Sequence, residues 1–549
     1  MPRFVRALCI LAAISLVAFG LYAETGVSDV RWLGMLGLAW LLLLIGTHIP
    51  LRDDLPTFNR AIVRTSIVLT TMFAIITAQL VRIQVVQSKA TFNKTAQAPD
   101  GETIANPRRS GNDLLAARGK IYDRNDELVA DTVRDGDLYL RRYPNPVTGY
   151  VAGYYSPLLY GSTGLEQRYN DELSGLAAAN PLDRTLNELL NRSRTGLDLH
   201  LTLDSHLQQV ATDLLSGRKG AVVVMEVETG AVNVLASTPS YDPDRLFTAN
   251  VSENDGASAY WKSLIDDPAA PLVLRANLGL YTPGSTFKTI TAAAAIETGV
   301  AMPDDVYYDD GSLDIDGRTL VENNRPDPSR SEWTMEEGLA WSLNVVFAQI
   351  GLQLGTDRLW DYATKFGFGS EVPFDLPVSR SQLASSKKFL ENKNALADTA
   401  FGQGQILVSP LQMAMVAATF ANGGKMMEPY LVAKVMKPNG TVHSTRQPRI
   451  WRTPISGETA SAVEKLMVNA VENGAIQAAI TPGYTVAGKT GTAETGDKTV
   501  HSWFIGSIGD PQARFAVAVV LEEGSDSLGT SVNIGQAILT AAIETDTAN

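Results

Sequence analysis

Cysteine is almost absent from this 549-residue chain, and Cys9 is the only one. An intrachain disulfide and a multi-cysteine zinc site are therefore excluded. Histidine is scarce as well. His48, His200, His206, His443 and His501 are scattered and show no H-E-x-x-H pairing, so no metal site is expected. Surplus positive charge is also lacking: the formal net charge is −13, which argues against a nucleic-acid partner. There is no internal repeat and no low-complexity tract.

Charge is missing from three stretches near the N-terminus, between Arg6 and Glu24, between Arg31 and Arg52, and between Arg64 and Arg82. As helices they span about 26–30 Å, close to the ~30 Å hydrocarbon core of a bilayer. Arg3 and Arg6 flank the first run, and Arg52, Arg60 and Arg64 crowd the second connection. The first connection holds Glu24, Asp29 and Arg31. Positive charge stays inside, which puts the N-terminus inside and everything after Arg82 outside. The first run also reads as a signal peptide ending at Leu21-Tyr22-Ala23, although leucine stands where cleavage wants a small residue. Cleavage would leave the later topology unchanged.

The remainder is long enough for more than one domain. Residues 89–115 are polar and turn-rich (Asn106-Pro107-Arg108-Arg109-Ser110-Gly111) and read as a connector. A mixed region follows, ending in Leu201-Thr202-Leu203-Asp204-Ser205, where Asp204 or Ser205 can cap a helix beginning near His206. Ala221–Met225 and Ala231–Leu235 read as a hairpin joined at Glu228-Thr229-Gly230. An alanine-rich helical run after Ser285 stops at Gly299. Tyr484–Glu494, Ser502–Ile508 and Phe515–Leu521 read as strands, and Asn533–Glu544 as a closing helix. Strands at both ends with helices between them imply an α/β fold, one sheet built from distant parts of the chain.

Three short strings carry the chemistry, in one order: Ser285-Thr286-Phe287-Lys288, Ser342-Leu343-Asn344 and Lys489-Thr490-Gly491-Thr492. Singly, each has a bland reading as a capped helix, a turn or an edge strand. Ser216–Lys219 and Ser385–Lys388 also read S-x-x-K, and Ser110, Ser252 and Ser531 also open S-x-N strings. Only Ser342 supplies an S-x-N between Lys288 and Lys489, and K-T-G occurs once. A serine hydroxyl needs a base to become a nucleophile. Three residues on along a helix, Lys288 can stand beside Ser285. Its pKa must fall, which burial and the second cation Lys489 would promote. Ser342 can relay a proton, and Asn344 can hydrogen-bond a peptide backbone. On a strand, Gly491 lets a substrate backbone lie close. Thr490 turns the other way from Lys489. Thr492 offers a hydroxyl for a carboxylate and an N–H for an oxyanion.

At these strings the chain resembles the class B penicillin-binding proteins, the monofunctional peptidoglycan transpeptidases. Arg118-Gly119-Lys120-Ile121-Tyr122-Asp123-Arg124-Asn125 is similar to the family's R-G-x-I-x-D-R-N opening of the pedestal. Gly164-Leu165-Glu166 with Leu173-Ser174-Gly175, and Gly402-Gln403-Gly404 followed by Ser409-Pro410-Leu411-Gln412-Met413-Ala414, resemble further family segments. The resemblance covers about residues 63–545. It implies a transpeptidase and serine β-lactamase-like sheet flanked by helices, a mixed pedestal and N-terminal transmembrane helices. The implied division is two membrane helices in 1–62, an anchor in 63–88, a pedestal in 89–205 and the transpeptidase domain in 206–549.

The resemblance also implies the substrate and the roles. Ser285 would be acylated at the D-Ala-D-Ala end of a stem peptide or by a β-lactam. Lys288 would be the base, with Ser342 and Lys489 helping to protonate the departing D-Ala. Asn344 would hold the donor peptide, Thr490 and Thr492 would face its carboxylate, and the N–H groups of Ser285 and Thr492 would form the oxyanion hole. No cofactor is implied. Partners would be stem peptides and a membrane glycosyltransferase of the SEDS type, since no glycosyltransferase domain is expected ahead of the pedestal. Asp126 stands where the opening motif often has glycine, and the first two membrane runs are additional to the family's usual single anchor. A D,D-carboxypeptidase, a β-lactamase, a β-lactam sensor and a catalytically silent scaffold remain alternatives. A sensor usually carries a cytosolic zinc-protease motif, which is missing, and the intact motifs argue against a scaffold.

The order of the motifs makes one serine unique. We expect Ser285→Ala to abolish covalent labelling by a fluorescent penicillin, and Ser216→Ala and Ser385→Ala to leave it intact. Labelling that survives Ser285→Ala would sink the assignment.

Overall fold

The computed structural model describes residues 2–22, 28–48, 56–83, 96–97, 103–104, 114–177, 195–249, 256–494, 500–510, 512–522 and 527–548. The chain divides into two compact units, residues 1–112 and 113–549. Most of the expected connector lies outside the described residues.

The first unit holds helices α1 (Arg3–Leu21), α2 (Asp29–Gly46) and α3 (Thr57–Val81). Their most apolar windows have mean hydropathies of 2.3, 1.6 and 1.8, and all three are long and apolar enough to cross a membrane. Side chains tie α2 to α3. Trp32 Nε1 donates to Gln79 Oε1 at 2.5 Å and Trp40 Nε1 to Thr71 Oγ1 at 3.2 Å, and Arg82 pairs with Asp29 at 3.3 Å.

Two large sheets organise the second unit. Its N-terminal strands are β1 (Ile121–Tyr122), β2 (Leu128–Asp135), β3 (Leu138–Arg142) and β4 (Asp198–Leu201). Next come α4 (Ser205–Leu214), capped by the Asp204 carboxylate accepting from the Leu207 N–H, and the hairpin β5 (Gly220–Glu226) and β6 (Val232–Thr238). The middle of the chain contributes α5 (Lys288–Glu297), the hairpin β7 (Ser312–Ile315) and β8 (Arg318–Val321), α6 (Met335–Ala340), α7 (Asn344–Lys365), α8 (Lys393–Ala400) and α9 (Pro410–Ala421). Strands β9 (Val432–Met436) and β10 (Val442–Thr445) precede α10 (Gly457–Glu472). The chain then closes with β11 (Thr485–Glu494), β12 (Val500–Gly509), β13 (Ala513–Leu521) and α11 (Val532–Ala548).

The central sheet has the order β6-β5-β13-β12-β11, antiparallel throughout. Its strands read as unbroken apolar runs because both faces are covered. Val222, Val224, Phe504, Val517 and Val519 pack with Leu207 and Ala211 of α4 and with Ile538 and Leu539 of α11. The alternate residues Val223, Met225, Trp503, Ile505, Ala516 and Ala518 join the core that contains α5 and α9. The last strand, β11, lies at the sheet's edge and carries Lys489-Thr490-Gly491-Thr492.

The second sheet has the order β10-β9-β4-β1-β2-β3, so two of its strands come from far along the chain. Asp126 sits in the turn after β1 at φ +63°, a left-handed conformation that glycine adopts freely and aspartate tolerates. That explains the departure from glycine, and His200 Nδ1 lies 2.9 Å from Asp126 Oδ1.

Beneath this sheet Glu166 is fully buried between two arginines, with Arg118 Nε donating to Oε2 and Arg141 Nε to Oε1, both at 2.6 Å. Burial pushes its carboxyl up, but Arg141 and Arg118 together hold it below the ordinary glutamate value. Replacing only the acid would strand two buried cations. We expect Glu166→Ala to destabilise the detergent-solubilised chain by about 3–5 kcal/mol in denaturant unfolding. A loss below about 1 kcal/mol, the range of an exposed pair, would refute this reading.

Candidate active site

Ser285 lies on a single 3-10 turn, Gly284–Phe287, that runs directly into α5. With three residues per turn, side chains at i and i+3 eclipse, so Ser285 and Lys288 line up on one side. Thr286 Oγ1 donates to the Pro283 carbonyl at 2.8 Å and Thr289 Oγ1 to the Thr286 carbonyl at 2.7 Å, fixing the turn. Ser285 is half-buried and Lys288 fully buried.

The second string joins α6 to α7. Ser342 stands at φ +61°, a left-handed position unusual for a residue with a Cβ, which costs about 1–3 kcal/mol and marks a site fixed by its surroundings. The consequence is contact with the first string. Lys288 Nζ donates to the Ser342 carbonyl at 2.7 Å and to Asn344 Oδ1 at 2.8 Å, and lies 3.4 Å from Ser342 Oγ. Lys489 Nζ approaches the same hydroxyl from β11, donating to Ser342 Oγ at 2.9 Å and to the Thr490 carbonyl at 3.1 Å. Ser342 Oγ thus bridges two lysines.

Two glycines bring β11 against the Ser285 turn. Gly284 has φ +54°, and a Cβ there would overlap the Thr492 main chain; a Cβ at Gly491 would overlap the Pro283 carbonyl. Thr490 is buried, Thr492 is exposed, and Lys489 is 2% exposed.

Two buried ammonium groups around one hydroxyl cannot both keep their protons easily. Burial, and next the charge of Lys489, hold Lys288 well below the ordinary lysine value, against an upward pull from Glu322. Burial alone pushes Lys489 down to about 7. Burial and the Lys489 charge both favour the free-amine form of Lys288. Its two N–H groups suffice for the Ser342 carbonyl and Asn344 Oδ1, which leaves a lone pair to receive a proton.

The structure thus gathers Lys288, Ser342, Asn344 and Lys489 into one hydrogen-bonded cluster, with Ser285 on the turn leading into Lys288 and Thr490, Gly491 and Thr492 along the adjoining strand. Of the competing strings, Ser216 follows α4 and Lys387 pairs with exposed Asp357. Ser531 precedes α11, while Ser110 and Ser252 lie outside the described residues.

Apart from Gly402 and Gln403, which the family resemblance picks out, sequence reasoning missed the groups that hold these strings. Trp503, opposite Gly491 on β12, donates its Nε1–H to the Thr282 carbonyl at 2.9 Å. Tyr281 Oη and Arg275 Nε both donate to Glu522 Oε1 at 2.8 Å. Gln403 Nε2 donates to the Thr492 carbonyl at 3.3 Å, and Gly284 N–H to the Gly402 carbonyl at 3.0 Å. Asn324 and Glu322 brace the Ser342–Asn344 segment. Alternation along β12 puts Trp503 on the same sheet face as Lys489 and Gly491, the one local signal that could have found it.

Known proteins resemble this chain. Residues 220–540 match the penicillin binding protein transpeptidase domain, and residues 118–199 the penicillin binding protein A dimerisation domain. The peptidoglycan D,D-transpeptidase PbpA of Mycolicibacterium smegmatis is 32% identical over 495 residues, covering 86% of this chain and 99% of the relative. That of Mycobacterium tuberculosis is 35% identical over 447 residues, covering 78% and 89%. The structure of penicillin-binding protein A from M. tuberculosis as a penicillin G acyl-enzyme complex superposes with a TM-score of 0.70 at 34% identity, covering 78% of this chain and 100% of that one. The domain matches and these full-length likenesses place the chain in the class B penicillin-binding protein family.

Proposed function

We propose that this chain is a peptidoglycan D,D-transpeptidase working through a Ser285 acyl-enzyme, and that β-lactams acylate the same serine. The observation that carries the reading is Ser342 Oγ held between Lys489 Nζ at 2.9 Å and Lys288 Nζ at 3.4 Å, beside the nucleophile's turn. Lys288 takes the Ser285 proton as the hydroxyl oxygen attacks the penultimate D-Ala carbonyl. The oxyanion is met by the N–H groups of Ser285 and Thr492. The peptide C–N bond breaks, an ester forms, and the departing D-Ala amine is protonated through Ser342 and Lys489. An amine of a second stem peptide then attacks the ester along the reverse proton path, forming the cross-link and restoring Ser285. Asn344, whose Oδ1 is taken by Lys288, turns its amide N–H groups to the donor backbone. Thr490 and Thr492 face the terminal carboxylate, and Gly491 lets the peptide lie against the β11 edge.

We further assign α1 and α2 to two membrane helices and α3, which begins at Thr57 and so ahead of the expected boundary at residue 63, to the anchor, with 89–205 as a pedestal and 206–549 as the transpeptidase domain. Everything after Arg82 faces the exterior, where the substrate is, with a SEDS-type glycosyltransferase as the membrane partner that supplies glycan strands. The arginines around the first and third runs support this orientation. Protease added to sealed cells should reach the exported part, and cleavage near Lys489 only from the cytosolic side would refute the topology. A pull-down of the full chain in mild detergent, probed by mass spectrometry, tests the partner; recovery with no polytopic glycosyltransferase would exclude it.

The two-lysine site makes the pH profile diagnostic. Lys489→Gln removes the like charge that helps keep Lys288 unprotonated, so the pKa of Lys288 rises and the acid limb of acylation moves to higher pH. Lys489→Arg keeps the charge and should keep the limb near its wild-type position. Both should slow acylation by about 10²-fold or more through loss of the proton path. Second-order rates with a fluorescent penicillin measure this, and an unmoved limb in Lys489→Gln would remove Lys489 from the electrostatic argument.

Hydrolysis of a penicilloyl ester needs a second base to activate water. Both Glu322 oxygens already accept backbone N–H groups, from Asn324 at 3.0 Å and Val345 at 2.9 Å, so this carboxylate is engaged behind the site. Glu188-Leu189-Leu190-Asn191, which resembles a deacylation string, lies outside the described residues and before Ser285. The penicilloyl ester should therefore persist long after free drug is diluted away. Intact mass would show it, and multiple turnovers within seconds would favour a β-lactamase instead.

A further inference from the structure

Glu322 is a buried carboxylate that the reaction scheme leaves unused. It is 6% exposed and lies just after β8. Its Oε2 accepts the N–H of Val345 at 2.9 Å, in the first turn of α7, immediately after Asn344. Its Oε1 accepts the N–H of Asn324 at 3.0 Å, and Asn324 Nδ2 in turn donates to the Ser342 carbonyl at 3.0 Å. That carbonyl is the one Lys288 Nζ also donates to, at 2.7 Å. One acid therefore grips both ends of the Ser342–Asn344 segment, directly at α7 and through Asn324 at Ser342.

The hairpin that carries Glu322 is itself fixed. Arg318 makes a two-pronged ion pair with Asp398, at 2.7 and 2.6 Å, and Lys393 pairs with Asp316 at 3.0 Å, so both bonds anchor β7–β8 to α8. Helix α8 leads into Gly402-Gln403, which touch the nucleophile turn and Thr492. The Glu322 main-chain N–H donates to the Gly311 carbonyl at 2.9 Å.

We propose that Glu322, with Asn324 as its relay, is a positioning residue of the acyl-transfer site: it holds the Ser342–Asn344 segment against Lys288 and supplies a buried negative charge near Lys288. The proposal rests on the Ser285 acyl-enzyme reading. The charged groups around Glu322 are consistent with it. Lys288 lies on α5 and Lys489 on β11, and Glu322 pulls the Lys288 pKa upward against burial and Lys489. Asp309, from the loop before β7, is a charged neighbour of Glu322, and Asp309 is flanked in turn by Arg325 and Asp310. Arg325 is engaged by the carbonyls of Asp309, Pro328 and Arg330, at 3.3, 3.3 and 3.2 Å. Asp309 Oδ1 accepts the Gly311 N–H at 2.9 Å.

The sign of the charge effect is fixed. Removing the acid's charge lets the Lys288 pKa fall further, so the acid limb of acylation moves to lower pH, the opposite direction from Lys489→Gln. The experiment uses the full chain in detergent and follows second-order acylation by a fluorescent penicillin against pH. In Glu322→Gln the limb should move down and the rate on the plateau should fall roughly tenfold or more, as expected for a displaced reacting group. Glu322→Asp, which keeps the charge, should restore the limb. Exposed Asn324→Ala should slow acylation with the limb unmoved and the melting temperature close to wild type.

A role confined to folding would lower the melting temperature and leave the limb in place. An unmoved limb in folded Glu322→Gln, or wild-type acylation in Asn324→Ala, overturns the proposal; if Glu322→Gln does not fold, Asn324→Ala decides it. Acylation of the wild-type chain, with Ser285→Ala as its blank, tests the acyl-enzyme reading separately, so the two failures are distinguishable.

Discussion

Two lysines share one serine hydroxyl inside a protein core, and the rest of the molecule is arranged around that contact. Lys288 and Lys489 reach Ser342 Oγ from a helix and a strand far apart in the chain, and both are buried. Like charges at such separation disfavour double protonation, and burial disfavours even one. Burial and the neighbouring charge of Lys489 thus hold Lys288, one turn on from Ser285, well below the ordinary lysine value. Burial pushes the second lysine, Lys489, down to about 7, where a group can both give and take a proton near neutral pH.

The same contact destabilises the fold. A lysine shifted from its ordinary 10.5 to about 7 gives up on the order of 4–5 kcal/mol once the pH is below both values. Above about 10.5 it is neutral folded and unfolded, and the penalty vanishes. As the pH falls the unfolded chain takes a proton that the folded chain refuses, so the penalty grows. What offsets it is apolar packing. Residues Lys288 to Ala295 of α5 are fully buried, and α9 is buried along nearly its whole length against the central sheet. Glu322 contributes differently, by placing a negative charge near Lys288 while its own oxygens are satisfied by backbone N–H groups.

Much of this was legible in the sequence because it is local. Pro283-Gly284 before Ser285, the alanine run after it, and the apolar strands of residues 485–521 each specify their element within a few residues. The spacing of Ser285 and Lys288 fixes their geometry on one turn, and the motif order singles out Ser342 and Lys489. The pedestal opening was legible too, down to the odd Asp126, whose positive φ shows why glycine is usual there.

What could not be read is what depends on tertiary placement. Glu322 lies 20 residues before Ser342, on a hairpin whose position is set by ion pairs to α8 rather than by any nearby pattern. Trp503 looks like one more apolar residue in a core strand until its indole N–H is found on the Thr282 carbonyl. The six-stranded sheet likewise takes β9 and β10 from residues 432–445, where nothing local announces a partner near residue 200. The division follows from the physics. Nucleophile, base and carboxylate-binding strand must each have particular side chains at particular spacings, and so leave a signature. Their supports need only deliver a donor or an acceptor to a backbone group, which many residues at many places in the chain can do.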